Sequence, residues 1–541
     1  MNWQRVETSF GTHAWIRPGY EVVEVPQRHK GVLTPVDLFR NIESRHREGR
    51  PATASNGGPL DPDWHCNVVS NKDPYYRFVP ILKATVRPGD AASEPWETRC
   101  FQSASVSAST SGESLSVIFT IATPAIGRGL GCADLYLVAT THFFHVVRLL
   151  SAGTHRVDFN SLKQEEMDEV STTGIYVFRF CDGLQQTLAD VWETFRLFRG
   201  GFGTGKAAHV TPDMVRTNVD FLNNHMNMNL TMRPQPIVRI VESHIQSGDF
   251  LAIFRLDGLD PLIMLGSGAW TGHTAVTLRV EGELFVCESQ DGWYWPNPHG
   301  IIMTPWDQWL KAAEEADFHV SVLPLAPHVR ERFDEAQVLK WFKSVQGLPY
   351  GYHNFLFGWI DTPSDNLPTP LSYQFLAVAF AIIDQLKPQV AESMWTLASN
   401  FRLGTKGLRT AEIFAEAARR NITFGELLAM PERDEWVYPD GYSMVCSSFV
   451  AEFYKASGIL GDITPDIHGT EFTDKDVYTL RIFDDHYDKP EECEIDVGLP
   501  YCQLLGAYRM ELPYYNSIEP YRHMAERCPS MPPDYYRPDG C

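Results

Sequence analysis

The ten cysteines of this chain include no Cys-x-x-Cys pair, which argues against a zinc-ribbon or thioredoxin-like site. Long apolar runs are missing too, so nothing in the sequence is long enough to cross a bilayer. The best candidate, Phe375 to Ile383, is short, ends at Asp384 and reads as a buried helix. Basic charge is scarce: 46 Lys and Arg stand against 68 Asp and Glu, for a formal net charge of -22, with no local basic cluster. Such a surface repels phosphate backbones and anionic lipid heads, so nucleic acid is not expected as a partner. No internal repeat is present. No apolar signal region follows Met1-Asn2-Trp3-Gln4-Arg5, so either the protein is made in the cytosol or its leader is absent from this chain.

What is present is a soluble globular balance, with 44% hydrophobic and 21% charged residues, so burial is not limiting. At 541 residues the chain is too long for one ordinary core, and two domains are expected. Cys66, Cys100, Cys132 and Cys181 fall in the N-terminal part; Cys493, Cys502, Cys528 and Cys541 fall in the tail. Each set suits two disulfides, which leaves Cys287 and Cys446 as free thiols. Asn229-Leu230-Thr231 and Asn421-Ile422-Thr423 are glycosylation sequons. Cysteine placement and sequons lean towards a secreted or lysosomal setting; the missing leader leans towards the cytoplasm. The sequence fixes no oligomeric state.

Residues 1–180 read as a β-rich, all-β domain. Runs over 114–123 and 134–141 are dense in β-branched and aromatic residues and are separated by Pro124 and a glycine-rich turn over 127–131. A helical connector follows over 181–235. The apolar spacing of Leu188, Val191, Trp192, Phe195 and Leu197 marks its first helix, and a second runs over 213–225. From 236 to 480 strands and helices alternate, and Glu281-Gly282 joins two strands as a hairpin. Residues 361–436 read as a helical insertion in this domain, and 481–541 as a loop-rich tail tied down by disulfides.

Three residues carry the chemistry. If Glu281-Gly282 form a two-residue loop, Val280 pairs with Glu283, Ala275 with Glu288 and His273 with Gln290. His273 and Glu288 then share a face as diagonal neighbours. A carboxylate there can accept the imidazole N–H, fix its tautomer and stabilise the imidazolium. Far downstream, Ser443 reads as a helix N-cap that makes Cys446 the third helical residue, where unpaired N–H groups and the helix dipole favour thiolate. Taken singly, a buried cysteine is a small core residue and a strand histidine is structural; the shared hairpin face and the helix-start thiol together point to a cysteine hydrolase.

Other signals are set aside. Gly200 to Ala207 has P-loop spacing, but Ala207 stands where magnesium needs Ser or Thr. His142 and His145 point to opposite faces of a strand and cannot share a metal. Trp293, Tyr294 and Trp295 suit either a groove wall or packing.

Ser247-Gly248-Asp249 before a strand, Gly272-His273-Thr274-Ala275-Val276, Glu288, Gly347-Leu348-Pro349-Tyr350, Cys446-Ser447-Ser448-Phe449-Val450 and the segment Glu471 to Asp476 occur in this order. Together they resemble the circularly permuted papain-like hydrolases of the NlpC/P60 superfamily, most of all its YiiX-like group. The resemblance covers about 240–480. It implies a permuted papain-like domain, α+β in class, whose antiparallel sheet packs on the Cys446 helix. It implies Cys446 as nucleophile, His273 as general base and acid, Glu288 as orienting residue, and Tyr350 as an oxyanion or substrate contact or a core residue. No metal or cofactor is called for. The expected substrate is an amide or peptide-type bond, and the family also covers acyl-lipid and ester chemistry. An acyltransferase of the same fold and a non-catalytic binding protein on this scaffold are the alternatives. The stretch between Tyr350 and Cys446 is much longer than in the family, and forms a lid, a substrate wall or a block.

Overall fold

A computed structural model describes residues 4–7, 13–16, 77–125, 132–197, 210–226, 228–291, 299–352, 373–422, 427, 443–467 and 469–522. The segments 200–207 and 293–298, most of the expected helix over 423–430, and Cys66, Cys528 and Cys541 lie outside these residues. The chain is mixed α and β, and its sheets are antiparallel. It divides into two compact units: one comprises 1–22, 196–368 and 430–541, the other 23–195 and 369–429.

The first unit begins with a two-stranded ribbon, β1 (Gln4–Glu7) and β2 (His13–Ile16). The second unit then contributes β3 (Ile81–Val86), β4 (Ala104–Ser111), β5 (Ser114–Ile121), β6 (Asp134–Ala139), β7 (Phe144–Leu149), β8 (Gly153–Phe159) and β9 (Ile175–Arg179). They form a four-stranded sheet, β3-β9-β6-β7, and a three-stranded sheet, β4-β5-β8. Alternation decides what each face buries. Val106, Leu115, Val117 and Phe119 of the small sheet share one core with Tyr136, Val138, Ile175 and Val177 of the large one. Leu137, Ala139, Tyr176 and Phe178 point the other way and pack with Val378 and Phe375.

Those last two residues belong to the helix Tyr373–Leu386, so the region expected to be all β is not. The helix Gln164–Thr172 also lies between β8 and β9. Helices read as an insertion in the C-terminal domain are by contact part of the second unit. The cause is the second apolar face of β6 and β9, which needs a cover. The helix over the connector is present as Leu184–Leu197, but Leu188 and Trp192 on it are exposed. His142 precedes β7 in a turn, with Nδ1 2.6 Å from Glu169 Oε2. Among the described residues no helix is long and apolar enough to cross a membrane.

The rest of the first unit is built on β10 (Phe250–Phe254), β11 (His273–Val280), β12 (Glu283–Gln290), β13 (Gly300–Pro305), β14 (His319–Leu323) and β15 (Cys502–Leu505). They form one sheet in the order β13-β12-β11-β10-β14-β15. β15 comes from the tail, which is therefore not only loop. It pairs with β14 and is braced by the Cys493–Cys502 disulfide and by the buried Arg233–Asp496 ion pair at 2.7 Å. One face of the sheet carries Leu251, Ile253, Ala275, Leu284, Val286, Val320 and Val322 against Trp306 and Trp309 of the helix Trp306–Glu315. The helix Cys446–Ser457 lies against β11 and β12 and against the helix Glu335–Val345, where Phe449 meets Trp341 and Phe342.

Cys100–Cys132 and Cys493–Cys502 are disulfides, and Cys181 is also disulfide-bonded. Cys287 and Cys446 are free and buried, as the cysteine spacing suggests.

His319 on β14 stacks on Phe254 with ring centroids 4.2 Å apart. Burial, then the charge of Arg233, pushes its pKa down to about 3. The folded form thus binds fewer protons than the unfolded chain between roughly pH 6.5 and 3, so stability is lost as pH falls through that window. His319→Phe keeps the stacked ring and removes the titration. Its melting temperature is expected to gain on the wild type as pH is lowered from 7 to 4, which scanning calorimetry at stepped pH checks.

Candidate active site

The hairpin turn sets the site. Glu281 has φ of 54° and Gly282 of 89°, the two left-handed residues that a type I′ turn requires. The loop is therefore two residues long, and Val280 pairs with Glu283. The same register runs to Val276 opposite Cys287; carried on, it puts Ala275 across from Glu288 and His273 across from Gln290. His273 and Glu288 thus emerge diagonally on one face.

The two side chains meet there. His273 Nε2 lies 2.9 Å from Glu288 Oε2, and both are buried. The other carboxylate oxygen accepts from the Trp309 indole N–H, also at 2.9 Å. Both oxygens are used, so the carboxylate is fixed in rotation, and the Nε2–H tautomer of His273 follows from it. Nothing in the sequence pattern singled out Trp309; it reaches Glu288 only because its helix packs on that sheet face.

Upstream, Ser247-Gly248-Asp249 is a structural corner. Asp249 accepts backbone N–H groups from Gln246 and Leu325 and pairs with Arg330, while Gly248 at φ 88° leaves no room for a Cβ beside Leu325 and Phe333. Tyr454 of the Cys446 helix donates to the Gly248 carbonyl at 3.0 Å. This corner ties that helix to the start of β10.

The thiol is placed by what precedes its helix. Met444 bridges Tyr350 in parallel, and its carbonyl accepts from the Ser289 hydroxyl at 2.6 Å and from Gly351 N–H at 3.0 Å. Those contacts hold 444 in an extended segment, so the helix starts at Cys446 with Val445 at its N-cap. Cys446 is the first helical residue and not the third, and Ser443 does not cap it.

The electrostatics also differ from expectation. Cys446 is 1% exposed, and burial pushes its thiol pKa well up, with the carboxylate of Asp474 adding to the rise. The Thr274 backbone N–H, its hydroxyl and the Tyr350 hydroxyl pull the other way and lose. A helix start favours thiolate by a few tenths to about 2 kcal/mol, and burial of an anion outweighs that. The resting thiol is therefore neutral. Burial raises the Cys287 thiol too, and Glu288 adds to it.

His273 and Thr274 are consecutive, so their side chains leave opposite faces of β11. The ladder to β12 stops at Val276, and at this open end Cys446 meets the strand through Thr274. Tyr350 donates its hydroxyl towards Cys446 Sγ at 3.9 Å. Asp474, on the helix Asp474–Thr479, lies against the thiol. Its Oδ1 is 3.6 Å from the sulfur, and His273 acts on its charge. Asp474 falls in the segment Glu471 to Asp476 that carries the resemblance, but no sequence signal assigns it a role apart from its acidic neighbours. Gln290 is also buried here, and neither side-chain atom of it has a hydrogen-bond partner. Among the described residues no cluster of three or more His, Cys, Asp or Glu is arranged to hold a metal ion.

No protein-family model and no curated protein matches the chain. Among solved structures it is similar to the metalloprotein yiiX from Escherichia coli O157:H7, at 16% identity over 27% of this chain and 68% of that one, with a TM-score of 0.16. A score that low carries no fold assignment.

Gly272 leads into His273 against the Cα of Asp260. A Cβ there would fall 2.5 Å from the Asp260 Cβ and 2.8 Å from its Cα, and backbone cannot swing aside. Gly272→Ala is expected to cost about 1–3 kcal/mol in urea unfolding.

Proposed function

We propose that the first unit is a thiol hydrolase of the permuted papain-like type, acting on an amide or peptide-type bond. The observation that carries this reading is the His273–Glu288 pair, locked at 2.9 Å by Trp309, one residue along the strand from Thr274, on the strand against which the Cys446 helix lies.

Cys446 is the nucleophile, His273 the general base and then acid, and Glu288 the orienting residue. With Nε2 committed to Glu288, Nδ1 is the nitrogen that takes the thiol proton. Because burial keeps the thiol neutral, proton transfer accompanies attack on the carbonyl; no ion pair is formed beforehand. Glu288 stabilises the imidazolium as it forms, and Tyr350 is placed to donate to sulfur or to the developing oxyanion. Imidazolium then protonates the leaving amine, and water resolves the thioester. The resemblance to NlpC/P60 hydrolases in motif order supports the same roles.

A second reading draws on one observation. Cys446, His273 and Glu288 are at most 1% exposed, and a site closed to water suits an acyltransferase that resolves the thioester with an amine or alcohol.

An acyl-electrophile probe with peptide mass mapping tests the reading. Cys446 is expected to label at least tenfold faster than Cys287, and His273→Ala to slow its labelling about 10²-fold or more. Glu288→Gln should slow it less. Equal labelling of the two thiols removes the enzyme from this scaffold and leaves a binding protein. Product analysis with and without an added amine separates hydrolysis from transfer.

A further inference from the structure

Asp474 differs from the other buried acids of this unit, of which Asp260 also keeps an oxygen without a partner, in having its second oxygen against the candidate nucleophile. Asp249 has backbone N–H groups and an arginine on it. In the resting state the Cys446 thiol donates to Asp474 Oδ1 at 3.6 Å, and Oδ2 is buried with no hydrogen-bond partner. A buried carboxylate oxygen without a partner is costly, which favours the neutral acid. A carboxyl left half-satisfied against a candidate nucleophile has the placement of a working group.

The ionisable groups around it come from every side. Cys446 faces it from its helix, His273 from β11, Asp260 from the helix Leu259–Ser267, and Tyr350 and Tyr478 feel its charge. Asp257 and Arg255 lie behind Asp260. Burial raises the Asp474 pKa to about 7, against the opposing pull of His273 and of the Cys446 thiol.

We propose, on the thiol-hydrolase reading, that Asp474 is a further catalytic residue: as a neutral acid it turns its O–H to the Cys446 sulfur and stabilises the negative charge that develops there as His273 takes the thiol proton. The proton of the S–H bond goes to His273 Nδ1. A sulfur electron pair forms the S–C bond, and the carbonyl π pair moves to oxygen. On collapse the bond to the leaving group breaks, and that group takes the proton from His273. Water, deprotonated by His273, then adds to the thioester, and as the S–C bond breaks the sulfur takes that proton back from His273, which restores the neutral thiol beside the same O–H. Asp474 keeps its own proton throughout. Once ionised, it places a negative charge against the thiolate and no longer donates, so the reaction is suppressed.

This reverses the usual behaviour of a thiol, whose alkylation accelerates with pH until the thiol has ionised. The test is alkylation of the full-length protein by iodoacetamide from pH 5.5 to 9. Cys446 and Cys287 are followed separately by mass spectrometry in the wild type, Asp474→Asn and Asp474→Ala. In the wild type the Cys446 rate is expected to peak near neutrality and fall several-fold by pH 9. Asp474→Asn, a donor without charge, is expected to stay within about threefold of wild type at pH 6.5 and to keep rising above pH 8. Asp474→Ala, without the donor, should be about tenfold slower at pH 6.5, near the worth of one hydrogen bond to a charged group, and also rise.

A wild-type rate that climbs steadily to pH 9 overturns the proposal, even if neither variant folds. So does an Asp474→Asn profile that superimposes on the wild type. An acyl probe run in parallel separates the two claims. Thioester formation on Cys446 with a pH profile that Asp474→Asn leaves unmoved overturns the role of Asp474 and leaves the hydrolase. No thioester at any pH overturns the hydrolase and the catalytic role with it.

Discussion

The two-residue turn at Glu281-Gly282 is the constraint on which the site depends. A third loop residue would slip β11 against β12 by one position, and every side chain beyond the turn would change face. Glu288 would then turn away from His273 and from Trp309, towards the side where Ser289 now holds the Met444 carbonyl. The left-handed backbone at Glu281 and Gly282 thus governs a histidine at the far end of the strand. Hydrophobic alternation supports the same register, since Ala275, Leu284 and Val286 must face Trp306 and Trp309.

Around that hairpin the unit is organised to present one sulfur. Ser289 on β12, Tyr350 and Gly351 all hold the Met444 carbonyl or its strand bridge, so the backbone reaches Cys446 already positioned. The price is a dry site. Desolvation dominates the thiol, and the weak field of a helix start does not compensate for it. A neutral buried thiol is protected from solution oxidants. The same dryness gives Asp474 a pKa of about 7, where a carboxyl in water is ionised.

Much of this was legible before any coordinates. The strands over 114–121 and 134–139, the hairpin register, the buried helix after residue 372 and the two free thiols follow from alternation, turn residues and cysteine spacing. These are local signals, and local physics decides them. The Ser443 cap was misleading because a cap is read from three or four residues, while Met444 is held extended by Tyr350 and Ser289 from elsewhere in the chain. The four-residue strand Cys502–Leu505 was missed in the tail for a similar reason: its pairing with β14 makes it a strand, and its composition does not.

The sequence by itself determined that a histidine and an acid would share one hairpin face, because a two-residue turn and a period of two leave no other arrangement. Only the tertiary structure decided which groups surround the sulfur, that Trp309 meets Glu288 and Asp474 meets Cys446, and that the helices over 373–419 serve the other unit. Those outcomes depend on packing between segments tens to hundreds of residues apart, and on desolvation, which no short window of residues encodes.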